Sequence, residues 1–156
     1  MPDELKRVLY VAEATVQGGR HGHGRTSDGR LDVDIDPPAE LGGAGGPGTN
    51  PEQLFALGYA SCFQSAVLRF AGARELDGSA WRMSARVNFG TALEGGGFVL
   101  SVELDLEAPN IARDVAEELM RTAHQWCPYS RATRGNIHVA LSVAGVPLAS
   151  EPSPAL

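Results

Sequence analysis

Thr49-Asn50-Pro51-Glu52-Gln53-Leu54-Phe55-Ala56-Leu57-Gly58-Tyr59-Ala60-Ser61-Cys62-Phe63 decides the fold. Its first residues spell a helix start: Asn50 as N-cap, Pro51 at the first helical position, Glu52 in the first turn and Gln53 placed to reach back. The helix is predicted to run to about Ala71, with Gly72 at its end. From Leu54 to Phe70 the only charged residue is Arg69. A helix that is apolar all round must be buried all round, and two short helices with a few strands would struggle to enclose it. Its small residues (Ala56, Gly58, Ala60, Ser61, Ala66) permit close approach by another helix. The predicted partner is the same helix of a second copy, which gives a two-fold homodimer.

Outward from that helix, the pattern alternates between strand and turn. Val8–Val16 reads as a strand. Leu31, Val33 and Ile35 alternate with Asp32, Asp34 and Asp36 as a half-buried strand. Between them, Gly18-Gly19-Arg20-His21-Gly22-His23-Gly24 reads as a turn-rich connection. Arg82–Phe89 and Phe98–Leu106 alternate on either side of Glu94-Gly95-Gly96-Gly97. Pro109-Asn110 opens a second helix whose apolar residues Val115, Leu119, Ala123 and Trp126 recur three or four apart. Ile137–Val143 alternates as a last strand. The predicted order is β-β-α-β-β-α-β, a mostly antiparallel α+β domain over residues 1–145, followed by a Pro/Ser/Ala-rich tail at 146–156.

The chain has 156 residues, two cysteines and a net charge of −6. That length can bury a core without disulfide staples. The acidic balance and the lack of a basic run argue against general nucleic-acid binding. The charged N-terminus does not resemble a signal peptide, and no stretch reads as long enough to span a bilayer. The expectation is a cytoplasmic protein, in which a transient disulfide is more natural than a structural one.

The two cysteines have opposite settings. Cys62 lies in the apolar helix, and Cys127 sits where the second helix gives out, in Trp126-Cys127-Pro128-Tyr129-Ser130. An inert core residue plus an odd thiol, or a redox pair, both fit. A reactive Cys62 needs help to ionise. It lies twelve positions past Asn50, beyond reach of the helix N-terminus, and apolar surroundings raise a thiol pKa. A cation must therefore come to it. Arg20 is the most distinctive candidate, with Glu52 to hold its guanidinium. Glu52 and Cys62 are about 15 Å apart along one helix, so one arginine reaches both more easily across a dimer interface.

Three rival motifs are weaker. Gly43-Ala44-Gly45-Gly46-Pro47-Gly48 formally fits a dinucleotide loop but does not follow a buried strand. His21 and His23 with the thiols suggest a metal site, but in a Gly-rich turn they read as solvated. Cys127-Pro128-Tyr129-Ser130 is similar to a monothiol glutaredoxin motif, which opens a helix after a strand, whereas this one ends a helix.

Taken together, several pieces resemble the organic hydroperoxide resistance (Ohr) family within the osmotically-inducible-protein-C superfamily. They are Gly18-Gly19-Arg20, Leu41–Gly46, Thr49–Ala56, Gly58–Phe63, Cys127–Ser130 and Ala132-Thr133-Arg134-Gly135-Asn136. The resemblance implies an intertwined dimer with two central helices wrapped by antiparallel sheets. It also implies a peroxidase for alkyl or lipid hydroperoxides, with Cys62 as peroxidatic thiolate, Cys127 as resolving thiol, and Arg20 and Glu52 as the activating pair. The reductant it implies is dihydrolipoamide or a lipoylated protein, with no metal and no bound cofactor. Phe55, Tyr59, Phe63 and Trp126 are the candidate apolar contacts for substrate. The alternative is a thiol-based sensor or binding protein that oxidises once without turnover.

Overall fold

The structure is a computed structural model that describes residues 4–149. The chain divides into two compact units, Met1–Pro51 and Glu52–Leu156.

The first unit is a three-stranded antiparallel sheet of β1 (Ala14–Gln17), β2 (Gly22–Thr26) and β3 (Asp32–Ile35). Only the end of the predicted Val8–Val16 strand forms. Opposite it, β2 ends at Thr26 and turns back to Leu31, so the ladder stops at Ala14, with one further hydrogen bond from the Ser27 N–H to the Glu13 carbonyl (3.0 Å). The predicted connection around His23 is instead β2, paired on both sides. Its glycines hid it. Gly18 and Gly19 take φ of 84° and 58° in the hairpin turn, and a Cβ on Gly22 would meet the Gln17 carbonyl oxygen at 1.8 Å. Glycine is therefore required by close backbone approach inside a strand. The His23 ring nitrogens lie 2.8 Å from Asp34 Oδ1 and 2.6 Å from Asp32 Oδ1, both of which accept, across the β2–β3 ladder. This acid pair raises its pKa, Asp34 contributing first.

The second unit holds α1 (Pro51–Ala73), β4 (Arg82–Thr91), β5 (Phe98–Glu107), α2 (Arg113–Trp126), α3 (Pro128–Thr133), β6 (Val139–Val143) and β7 (Val146–Pro147). Its sheet order is β4-β5-β6-β7. The β4–β5 hairpin is antiparallel as expected, with Arg82 opposite Glu107. Gly95, Gly96 and Gly97 all have positive φ in its turn, a conformation that carries little cost only for glycine. β5 and β6 run parallel, with Val102 opposite Val139, because the α2–α3 segment crosses between them. β7 begins inside the stretch read as a tail; residues from 150 onward lie outside those described.

Alternation along β5 buries Val102, Leu104 and Leu106. They pack with Ala116, Leu119, Met120 and Ala123 of α2 and with Tyr59, Phe63, Val67 and Ala71 of α1 in one apolar cluster. These four α1 residues recur every fourth position and form a single stripe. The expectation of all-round burial therefore fails for the single chain, where Leu57 is 69% and Leu68 38% exposed. Ser61 and Ser65, on the same exposed line, donate their hydroxyls to the helix's own carbonyls at Gly58 (3.1 Å) and Ser61 (2.8 Å). At 23 residues α1 is also long and apolar enough to cross a membrane, contrary to the sequence reading. Its buried stripe of core residues marks it as a core helix. It also runs through Gly72 to Ala73; the left-handed residue that follows is Glu75, at φ 56°.

The second helix starts at Arg113 rather than at Pro109, with Ala112 as an extended N-cap. Its buried Glu117 is held between Arg113 (2.9 Å) and Arg121 (3.2 Å), one helical turn to either side.

Candidate active site

Pro128 decides where the second thiol sits. Proline has no N–H to continue a helix and has φ set for starting one. Cys127 is accordingly the C-cap of α2 and the N-cap of α3. Its N–H donates to the Ala123 carbonyl (2.8 Å), and its own carbonyl accepts from the Arg131 N–H (3.0 Å). Its backbone is extended, at φ −61° and ψ 125°. The reading that Cys127 only ends a helix is thus incomplete, because it also opens α3.

This placement buries Cys127 completely and brings its Sγ to 3.5 Å from Cys62 Sγ. Both thiols are unbridged, and Cys62 is half-buried. Cys62 follows Tyr59 by three positions and precedes Phe63, at the edge of the buried stripe of α1. Burial pushes its pKa up, and the neighbouring Cys127 pushes it further in the same direction. The Tyr129 backbone N–H opposes them by hydrogen-bonding to the sulfur. That amide is not legible in the sequence, where Pro128 reads as a helix stop. Once Pro128 is taken as a helix start, the first-turn N–H groups of α3 become available to a facing sulfur.

Aromatic rings pack between α1 and α3. Phe55 stacks on Tyr129 with centroids 6.2 Å apart, and Tyr59 lies 5.7 Å from Tyr129. A Cβ on Gly58 would stand 3.2 Å from the Tyr129 hydroxyl, so the small residue at 58 lets Tyr129 lie against α1. Of the four apolar side chains expected at the substrate, Tyr59 and Phe63 have no exposed surface and belong to the core. Phe55 is half-buried, and Trp126 is 65% exposed. Trp126 packs against Phe70, at 6.2 Å. Glu52 is half-buried in the first turn of α1. Arg20 lies in the first unit, in the turn between β1 and β2.

A second polar cluster lies one turn away and was not anticipated. The Tyr59 hydroxyl is 2.9 Å from Ser130 Oγ and 3.0 Å from Thr133 Oγ1, and His124 Nδ1 is 3.0 Å from Ser130 Oγ. Burial, then the nearby Arg134 charge, lowers the His124 pKa. Among the described residues, no group of three or more His, Cys, Asp or Glu side chains is arranged to hold a metal ion.

Known proteins share this sequence pattern and fold. The model of the OsmC-like protein family matches residues 42–142. An organic hydroperoxide resistance protein of Xanthomonas axonopodis pv. citri is 47% identical over 89% of this chain and 97% of its own length. The chain belongs to the organic hydroperoxide resistance (Ohr) family of OsmC-like proteins. Two solved Ohr-family structures share its fold. One, from Legionella pneumophila, superposes with a TM-score of 0.81 at 44% identity, over 88% of this chain and 98% of that one. The other, OhrB of Bacillus subtilis, has a TM-score of 0.78 at 41% identity, over 87% of this chain and 99% of its own. The α+β class and the Ohr-like fold expected from the sequence therefore stand.

Proposed function

We propose that this chain is a cysteine-based peroxidase that reduces organic hydroperoxides to alcohols. The observation that carries this reading is the 3.5 Å separation of two unbridged thiols, which is a near-attack distance. The Cys62 thiolate attacks one peroxide oxygen, the O–O bond breaks, and the alkoxide leaves and takes a proton to become the alcohol. Cys62 is then a sulfenic acid. Cys127 attacks its sulfur, water leaves, and a Cys62–Cys127 disulfide forms. A dithiol of the dihydrolipoamide type, free or on a lipoylated protein, restores both thiols by exchange. The cycle uses no metal and no bound cofactor.

Because burial and Cys127 raise the Cys62 pKa, the Tyr129 N–H needs a cationic ally. Arg20 is assigned that role, with Glu52 orienting it, and its guanidinium would also stabilise charge developing on the leaving oxygen. The exposed line Leu57, Ser61, Ser65 and Leu68 on α1 supports a homodimer built on that helix. Phe55 and Trp126 offer apolar surface to an alkyl chain, which favours organic hydroperoxides over hydrogen peroxide. A cytoplasmic location fits this chemistry.

The test is steady-state consumption of tert-butyl and lipid hydroperoxides with dihydrolipoamide or thioredoxin as reductant. Many turnovers with dihydrolipoamide are expected. Oxidation that stops after one equivalent would replace the enzyme with a thiol sensor.

A further inference from the structure

Tyr59 and Ser130 are fully buried and Thr133 is 7% exposed. Buried hydroxyls cost stability unless they are hydrogen-bonded, and here all of them are. Their placement is specific. Tyr59 stands three positions before Cys62, and Ser130 three positions after Cys127. On each helix that is about 4.5 Å, or just under one turn. The Tyr59–Ser130 hydrogen bond and the Cys62–Cys127 contact are therefore adjacent rungs of one α1–α3 contact.

Proton counting gives the cluster a direction. Thr133 Oγ1 lies 3.0 Å from the Tyr129 carbonyl and 3.2 Å from that of Ser130. Carbonyls only accept, so the Thr133 proton goes to them. Tyr59 must then donate to Thr133, Ser130 to Tyr59, and His124 Nδ1–H to Ser130. Each hydroxyl gives one proton and receives one. Such a chain polarises along its length and specifies one geometry.

We infer that the His124–Ser130–Tyr59–Thr133 relay is the positioning device of the resolving thiol, pinning α3 to α1 so that Cys127 Sγ stays at attacking distance from Cys62 Sγ. The inference rests on reading Cys62 and Cys127 as a redox pair. The four residues act through α3 and touch no reacting atom.

The test equilibrates the full chain with reduced and oxidised dithiothreitol and counts the Cys62–Cys127 disulfide by alkylation and mass. Two electrons and two protons pass from the thiols to the cyclic disulfide of the reagent. Tyr59→Phe and Ser130→Ala should each lower the equilibrium constant for disulfide formation about tenfold, or ~30 mV. Ser142→Ala, which loses a hydrogen bond to Asp105 in the sheet, should lower the melting temperature and leave that constant unchanged. A wild-type constant in both relay variants, or an equal change in Ser142→Ala, overturns the inference. If Tyr59→Phe does not fold, Ser130→Ala decides alone. Nitrogen NMR of His124 should show the Nδ1–H tautomer; the Nε2–H tautomer would break the relay's direction. No hydroperoxide is present, so lack of peroxide turnover would sink the proposed function without touching this result. A wild-type chain that forms no disulfide at any reagent ratio would sink both.

Discussion

Cys127 Sγ lies 3.5 Å from Cys62 Sγ, so each thiol sets the state of the other. Replacing either one should separate the steps of the cycle. Cys62→Ser should abolish hydroperoxide consumption. Cys127→Ser should consume a single equivalent and leave a sulfenic acid at Cys62, detected by dimedone adduct mass. Continued turnover in Cys62→Ser would end the assignment of that residue.

Removing Cys127 should also change the acidity of Cys62. The neighbouring thiol raises the Cys62 pKa, so Cys127→Ser should move the midpoint for iodoacetamide alkylation of Cys62 downward. Arg20→Ala should move it upward, because a cation favours the thiolate. An unmoved midpoint in Arg20→Ala removes that residue from the site.

Two histidines should bend the stability profile in opposite directions. His124 has its folded pKa below the ordinary 6.5, so below that value the unfolded chain takes up the proton more readily. Its contribution is present above the unfolded pKa and is lost as pH falls through the folded one. His23 has a raised pKa, so its contribution is present below the unfolded pKa and is lost as pH rises through the folded one. In urea titrations between about pH 5 and 8, His124→Asn should lessen the loss of stability on acidification. His23→Asn should deepen it.

The exposed leucines of α1 give a test of assembly. Sedimentation should report twice the 16.4 kDa chain mass. Leu57→Glu combined with Leu68→Glu should shift it toward one copy, because charges on an apolar interface lose solvation. A single-copy mass for the unmodified chain would place the Cys62 site within one chain.

Core truncation calibrates these variants. Leu104 and Leu119 have no exposed surface, so Leu104→Ala or Leu119→Ala should cost ~2–5 kcal/mol in urea unfolding. Variants that damage the thiol chemistry through positioning alone should cost far less.

Much of the architecture was legible in periodicity. The alternation of β4 and β5, the glycines between them and the Asn50-Pro51 start of α1 each expressed a local rule that the packing obeyed. What stayed hidden depended on partners or on residues with two readings. β2 is rich in glycine because a Cβ at position 22 would strike Gln17, and glycine in a single sequence reads as a turn. Pro128 reads as a stop, and in the fold it is also a start. The α1 sequence registered apolarity on every side, whereas one chain covers only the stripe through Tyr59, Phe63, Val67 and Ala71. The cysteines could be found by inspection. The Tyr129 amide and the His124–Ser130–Tyr59–Thr133 relay could not, because they exist only once α3 is folded against α1.

The unequal burial of the two sulfurs has a consequence for the order of events. Cys127 has no surface at all, whereas Cys62 keeps some. An oxidant arriving from solvent can collide with only one of them. In the proposed cycle, access rather than relative acidity would then decide which sulfur is oxidised first, and the sheltered thiol would be kept from wasteful oxidation until its neighbour calls on it. A chain damaged by excess peroxide should accordingly carry its irreversible lesions at position 62 and keep position 127 intact.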